Sequence, residues 1–329
     1  MQRHDAHHQE ISVTLLTHTS TLPLHSAVAT IGMFDGVHLG HQLIISTLCA
    51  QAREAGKASL VVTFDRHPQH VLRPDADPTP LIMSLRERLR LLGELGVDYV
   101  LPLPFTVELA RLTAGQFMAA LQQRWGVDTL VMGYNHRFGS DRMDHIDDYR
   151  RAASALAMQV VQAPEYDGAH VSSSIIRRLI GEGKVAQAAA LLGRPFALEG
   201  TVVHGEHVGT GLGFPTANVG GLPPHQLLPA DGAYAVQAVT EKGRFPGMAG
   251  VGTRPTVSDG LHSSIEVNLF TGRLMIYDQP MRVEFVQWLR GEKRFSSVTG
   301  LIHQLAVDRE QALKILHNID DSNTTNNTL

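Results

Sequence analysis

Up to about residue 190, short apolar runs alternate with segments whose apolar positions recur every three or four residues. Ala27 to Ile31, Ser59 to Phe64, Tyr99 to Leu103, Thr129 to Met132 and Gln159 to Gln162 read as strands. Between them, helical periodicity predicts helices near Gly40 to Ala55, Leu85 to Leu95, Thr113 to Trp125 and Asp147 to Ala157. The first of these places Leu43, Ile44, Leu48, Ala52 and Ala55 on one face. Thr113 with Gln116 three residues on has the form of a capping box. Strands and helices alternating in this way predict an α/β fold, a parallel sheet covered on both faces. Ligands on such sheets bind at the carboxyl ends of the strands.

Near Gly193 the texture changes. Twelve of the 30 glycines lie between residues 201 and 260, and helical periodicity disappears until about Ser297. Short alternating runs take over at Leu198 to Val203, Ala233 to Val239, Ile265 to Leu269 and Arg282 to Phe285, punctuated by Gly and Pro. This predicts a small antiparallel barrel or sandwich, closed by helical stretches at Leu301 to Leu305 and Asp308 to Leu316. Two domains are expected, 1–193 and 194–318, followed by a polar, Asn/Thr-rich tail at 319–329 whose composition predicts disorder.

Composition agrees with two domains: 329 residues exceed one ordinary domain, and 43% hydrophobic residues suffice for two cores. A net charge of -4 without a long basic run argues against a nucleic-acid partner. No apolar run reaches the roughly 18 residues of a membrane span, and the start is polar and His-rich, so neither a membrane partner nor a signal peptide is expected. With Cys49 as the single cysteine, a cytoplasmic location is expected. His4, His7 and His8 have nothing nearby to complete a metal site and read as a solvated end. The oligomeric state is left open.

The first candidate site follows the first strand: Gly32-Met33-Phe34-Asp35-Gly36-Val37-His38-Leu39-Gly40-His41. Glycines allow a tight turn and close backbone approach. The helix that starts there offers unpaired amides and a positive dipole end to an anion, and His38 and His41 can both donate to phosphate oxygens. Adenylyl transfer needs such a site, because its nucleophile is already an anionic phosphate and catalysis is mostly positioning and charge stabilisation. Alone, two histidines at a turn also fit accident. Ser172-Ser173-Ser174-Ile175-Ile176-Arg177 is either a second phosphate cradle or an ordinary serine cap with a solvated arginine. Paired, the segments read as halves of one triphosphate site.

The second half carries Gly209-Thr210-Gly211-Leu212-Gly213-Phe214-Pro215-Thr216-Ala217-Asn218. Thr216 and Asn218 offer hard oxygen ligands suited to Mg²⁺ on nucleotide phosphates, although spacing alone also fits a Gly-rich barrel loop. In Ser264 to Leu269, strand alternation puts Ile265, Val267 and Leu269 on one face, and Glu266 with Asn268 on the other. Glu266 there is either a solvated strand residue or a carboxylate placed to take a proton from an attacking hydroxyl.

His38-Leu39-Gly40-His41 and the Ser-Ser-Ser-x-x-Arg segment resemble the two signatures of the nucleotidyltransferase superfamily. With Thr63-Phe64-Asp65-Arg66-His67-Pro68, Gly133 to Gly139, Gly213 to Asn218 and Gly252 to Thr256, the chain resembles the bacterial bifunctional riboflavin kinases/FAD synthetases from about residue 28 to 316. The resemblance implies a Rossmann-like nucleotidyltransferase domain followed by a β-barrel kinase domain, acting on riboflavin, FMN and ATP with Mg²⁺. It implies that His38 and His41 contact ATP phosphates, within the Gly32, Phe34, Asp35, Gly36 and Gly40 turn. Ser172, Ser173 and Arg177 would hold the triphosphate, and Asp65, His67 and Asn135 would line the cleft. In the barrel, Gly211, Gly213 and Pro215 would belong to the ATP flap, Thr216 and Asn218 would bind Mg-ATP, and Glu266 would be the base. The chain departs from the common pattern at Asn135-His136 (often Asp-Phe), at Thr210 (often Arg) and at Gly250 (often Asn). Competing readings are an adenylyltransferase for another substrate with an inert barrel, and an oligonucleotide-binding barrel. The first leaves Glu266 unexplained, and the second wants a basic groove with exposed aromatics, whereas aromatics are only 6% of the chain.

Overall fold

The computed structural model describes residues 13–17, 20, 26–168, 170–204, 213–255, 261–271 and 274–326, the side chains of 253–263 and 319–326 excepted. By its contacts the chain divides into two compact units, Met1–Ser173 and Ser174–Leu329.

The first unit is built on a six-stranded, all-parallel sheet. Its strands are β1 (Thr14–Leu15), β2 (Ala27–Ile31), β3 (Ala58–Phe64), β4 (Tyr99–Leu103), β5 (Val127–Met132) and β6 (Gln159–Gln162), in the order β1-β4-β3-β2-β5-β6. Alternate residues feed two cores. Ala27, Ala29, Ile31, Leu60 and Val62 pack on one face with Phe117, Leu121 and Trp125, while Val28 and Val61 pack on the other with Ile45, Leu48 and Leu92. Both faces are dry, which explains why the strands read as continuous apolar runs.

Helices α1 (Leu39–Ala55), α3 (Leu85–Glu94), α5 (Ala114–Trp125) and α6 (Ile146–Ser154) match the expected ones within a few residues, and the Thr113–Gln116 capping box forms. Short α2 (Pro68–Leu72) and α4 (Val107–Arg111) fall where the periodicity gave no signal. Of the stripe expected on α1, Leu48 and Ala52 are buried and Ile44 is partly so, whereas Ile45 is buried in addition and Ala55 is exposed.

In the second unit, α7 (Ser173–Gly181, entered from the last residue of the first unit) and α8 (Val185–Leu192) precede a closed barrel. Its strands are β7 (Phe196–Val203), β8 (Thr216–Gly220), β9 (Gly232–Thr240), β10 (Gly243–Pro255), β11 (Leu261–Leu269) and β12 (Pro280–Arg290), in the order β10-β11-β8-β7-β12-β9 with every pairing antiparallel. The alternative of barrel or sandwich resolves to a closed barrel. Phe196, Tyr234 and Phe285 meet ring to ring inside it. Trp288 on β12 keeps 43% of its surface exposed, although a Cβ at Gly183 or Gly232 would press on its ring.

One helix, α9 (Val298–Asn326), replaces the two expected stretches and continues into the segment whose composition predicts disorder. Extending a formed helix adds one hydrogen bond per residue fixed, so a polar continuation is cheap. Ala312 and Leu316 of α9 pack on Ala235 and Met248 outside the barrel. Buried Asp308 takes a bidentate pair from Arg290 at 2.8–3.1 Å and an amide from Gln304 at 2.9 Å. Among the described residues no helix is long and apolar enough to cross a membrane.

Candidate active sites

Strand order in the first sheet reverses at β2, whose neighbours are β3 and β5, which leaves a crevice at the carboxyl ends of those central strands. Such a crevice is what open α/β sheets use for ligands, and Gly32 to His41, Thr63 to Pro68 and Gly133 to Gly139 flank it, whereas Ser172 to Arg177 follows the edge strand β6. From β2 the chain passes through Phe34 (φ 49°), Gly36 (φ 92°) and Val37 (φ 38°) before α1 begins. Left-handed conformations at two non-glycine residues are costly, about 1–3 kcal/mol each, so the surrounding structure must hold the turn. Gly36, at its centre, is where only glycine adopts such a φ freely.

His38 caps α1. Its Nδ1 accepts the His41 amide N–H at 3.2 Å, which assigns the proton of the neutral ring to Nε2. The two imidazoles stack with centroids 3.6 Å apart, and the Phe34 ring meets His41 edge-on at 5.2 Å. A Cβ at Gly40 would lie 3.1 Å from Val171 Cγ1 and 3.3 Å from His38 Cε1, so glycine allows the Val171–Ser173 segment to approach the helix mouth. Ser173 Oγ donates to the Asp35 carbonyl at 2.8 Å, which joins the second signature to the first. Arg177 stands one turn further along α7. The first-turn amides of α1, with the dipole behind them, make this an anion-binding mouth.

Other residues singled out in the sequence have supporting contacts. The Phe34 ring is buried against Gly32. The buried Asp35 carboxylate accepts the amides of Ile82 at 3.0 and 3.1 Å and Met83 at 3.3 Å, tying the turn to the segment before α3. Asp65, at the end of β3, accepts the Phe105 amide at 3.1 Å, and His67 caps α2 through Nδ1. Asn135 lines a cavity of about 440 Å³ at the ends of β5 and β6, with Gly133, Tyr134, His136, His145 and Gln162 among its neighbours. His136 is half-buried, and desolvation pulls its imidazole down to about 4, so it is neutral at pH 7.

Sequence reasoning missed Arg88. It lies wholly inside the first unit, donating from Nη1 to the Met33 carbonyl (3.0 Å), Thr63 Oγ1 (2.9 Å) and the Phe64 carbonyl (2.8 Å). Desolvation lowers its guanidinium to about 10, opposed by the nearby charges of Asp35 and Asp65, so it stays protonated at neutral pH. Its position within the helical pattern of α3 reads as an ordinary solvated arginine, and no local signal marks it.

In the barrel the register assembles the second site. Asn218 pairs with Glu266 and Thr216 with Asn268 across β8 and β11, so all four side chains share one face. On the other side of β11, Glu266 faces Gly250 and Asn268 faces Met248. Met248 packs under α9, so the shared face is the outer face of the barrel. A Cβ at Gly250 would meet nothing within 4 Å, which leaves room beside Glu266. Asn268 is buried and its Nδ2 donates to the Pro215 carbonyl at 2.8 Å, fixing the entry to Thr216. Gly213 precedes this entry with φ 82°, and Gly211 lies outside the described residues. Among the described residues no cluster of three or more His, Cys, Asp or Glu is placed to hold a metal.

Comparison with known proteins divides the chain in the same sense. A family model described as FAD synthetase matches residues 21–175, and one described as riboflavin kinase matches residues 192–316. The bifunctional riboflavin kinase/FMN adenylyltransferase of Escherichia coli K12 is 36% identical over 294 residues, 88% of this chain and 92% of the relative. Its namesake in Bacillus subtilis is 33% identical over 298 residues, 89% and 93% of the two chains. That of Pseudomonas fluorescens is 37% identical over 277 residues, 83% and 88%. A solved structure of a Streptococcus pneumoniae protein described as a macrolide-efflux protein superposes with a TM-score of 0.81 at 32% identity, covering 91% of this chain and 98% of that one. The chain belongs to the family of bifunctional riboflavin kinases/FMN adenylyltransferases.

Proposed function

We propose that this protein phosphorylates riboflavin to FMN at the barrel and adenylates FMN to FAD at the parallel sheet, consuming ATP in each step. The observation that carries this reading is that a FAD synthetase model and a riboflavin kinase model match successive stretches of the chain, 21–175 and 192–316, one on each candidate site. We assign adenylyl transfer to residues 1–193 and the kinase to 194–318, with 319–329 as a tail.

In adenylyl transfer a phosphate oxygen of FMN attacks the α-phosphorus of ATP and pyrophosphate leaves. No strong base is needed. His38 Nε2–H, His41, the first-turn amides of α1, Ser172, Ser173 and Arg177 would bind the phosphates and stabilise the charge that moves onto the leaving group. Asp65, His67 and Asn135 would line the cleft for the flavin or nucleotide.

In the kinase step a ribityl hydroxyl attacks the γ-phosphorus, Glu266 takes its proton and ADP leaves. Thr216 and Asn218 would contribute oxygen ligands to Mg²⁺. This donor set suits a cation that arrives on ATP, because Mg²⁺ in phosphoryl-transfer sites usually keeps waters and takes only one or two protein ligands besides phosphate. Mg²⁺ would neutralise the phosphates while Glu266, held opposite Asn218, addresses the hydroxyl.

Purified protein incubated with riboflavin, ATP and Mg²⁺, its flavins separated by chromatography, is expected to accumulate FMN and then FAD. Unchanged riboflavin together with unchanged FMN in a parallel reaction would refute the assignment.

A further inference from the structure

Arg88 belongs to none of the motifs above, yet its contacts converge on the turn that carries them. It comes from α3, is fully buried, and reaches the ends of β2 and β3 together. Thr63 Oγ1 donates to the same Met33 carbonyl at 3.2 Å, so that one oxygen is held by two donors. No described group accepts from Arg88 Nε or Nη2. A buried guanidinium with part of its hydrogen-bonding capacity unmet is an expensive way to fill a core. A lysine or methionine would fill much of the same volume.

What the arrangement fixes is a peptide plane. The Met33–Phe34 peptide is planar and trans, so the Met33 C=O and the Phe34 N–H point in opposite directions. Arg88 and Thr63 hold the carbonyl, and the amide is therefore turned away from them. No described group accepts from the Phe34 N–H, while the Phe34 carbonyl is engaged by the Val37 amide at 3.1 Å. Phe34 stands at the left-handed φ of 49° between β2 and the mouth of α1. If this peptide rotated, it would present a carbonyl oxygen to the site in place of an N–H, which is repulsive to an anion.

We propose that Arg88 is a positioning residue for adenylyl transfer: by holding the Met33 carbonyl inward it presents the Phe34 amide to the nucleotide phosphates as a fixed donor. This rests on reading the β2–α1 turn as the adenylyl-transfer site. Unmodified protein supplied with FMN, ATP and Mg²⁺ tests that reading first, since failure to form FAD overturns it before any variant is made. With activity established, Arg88→Met is expected to lower adenylyl-transfer kcat by about 10²-fold, the cost of losing one oriented donor. KM for ATP should move far less, and riboflavin phosphorylation by the same preparation should be unchanged. Arg88→Lys, which keeps the charge but not the reach to three acceptors, should fall between. Thr63→Val leaves the carbonyl to Arg88 alone and also removes one acceptor of the buried guanidinium, so it should cost a smaller part of kcat together with some loss of melting temperature.

A purely structural role would reduce folded protein and leave kcat per active site, counted by a single-turnover burst, as it was. That outcome overturns the proposal, as does a folded Arg88→Met within about threefold of the parent kcat, far short of the loss of a donor. Should Arg88→Met not accumulate as folded protein, Thr63→Val decides: reduced kcat per folded active site supports the role, and parental kcat overturns it.

Discussion

The two proposed phosphate sites are built by different structural means. At the parallel sheet, most of the proposed anion-binding groups lie close together in sequence, on a strained turn and the first turn of α1, with Ser172, Ser173 and Arg177 added from a distant segment. At the barrel, Thr216 and Asn218 meet Glu266 and Asn268 only through the register of β8 on β11. The first site draws on a helix end, whose amides and dipole come with the backbone and act on any anion. Among the described residues the second has no helix end, and side chains are proposed to supply the oxygen ligands and the base. The first should therefore lose function piecemeal, whereas the second depends on single side chains.

The sharpest break in that comparison is Glu266→Gln. Positioned base catalysis contributes about 10²–10⁴-fold, so riboflavin phosphorylation should fall by that range while FAD formation from added FMN is retained. A Gln variant with ordinary kinase turnover returns Glu266 to the surface of a strand. Next, changing both His38 and His41 to Ala should lower adenylyl transfer by about 10²–10³-fold, the range for an oxyanion-type donor, with the kinase intact. A loss under tenfold for the pair would make the histidines caps and packing only.

Gly40→Ala adds a methyl group against Val171 and His38. Displacements of a few tenths of an ångström should cost about tenfold in adenylyl transfer, because an error of 1 Å costs about 10². Steady-state kinetics on FMN with unchanged secondary structure by circular dichroism checks this, and a parental rate would mean that the approach of Val171 is immaterial. The mildest effect on turnover concerns the boundary. A chain beginning at Ser174 and one beginning at Arg194 should both phosphorylate riboflavin at similar rates. The shorter one loses the buried Val185, Ala188 and Leu192 of α8, and burial of a large apolar side chain contributes about 1.5–3 kcal/mol. Its urea midpoint should be clearly lower, and equal midpoints would place the boundary at Gly193.

Much of the first unit was legible because its information is local. Strands β2 to β5 were runs of mostly apolar residues, each long helix had a period, and the candidate nucleotide turn lay within ten consecutive residues. Local pattern missed β1, whose two residues are too few to show a period. It also missed α2 and α4, each about one turn long. In the barrel, alternation along β11 revealed the face that holds Glu266, but its pairing with Asn218 depends on strand register, which no single segment encodes. β10 went unread because its glycines and prolines, ordinarily signs of loops, lie within a strand of 13 residues. Arg88 was invisible for a related reason: a charged residue within a helix reads as solvated, and only the packing of α3 onto the strand ends reverses that.

The protein has only two tryptophans, one in each unit. Trp125 is 4% exposed in the core of the parallel-sheet unit, and Trp288 is 43% exposed on the barrel. They form a built-in pair of fluorophores, one emitting to the blue from an apolar surround and one to the red from partial contact with water. Replacing either with Phe isolates the other, so one emission spectrum recorded during denaturation reports which half of the molecule loses its structure first.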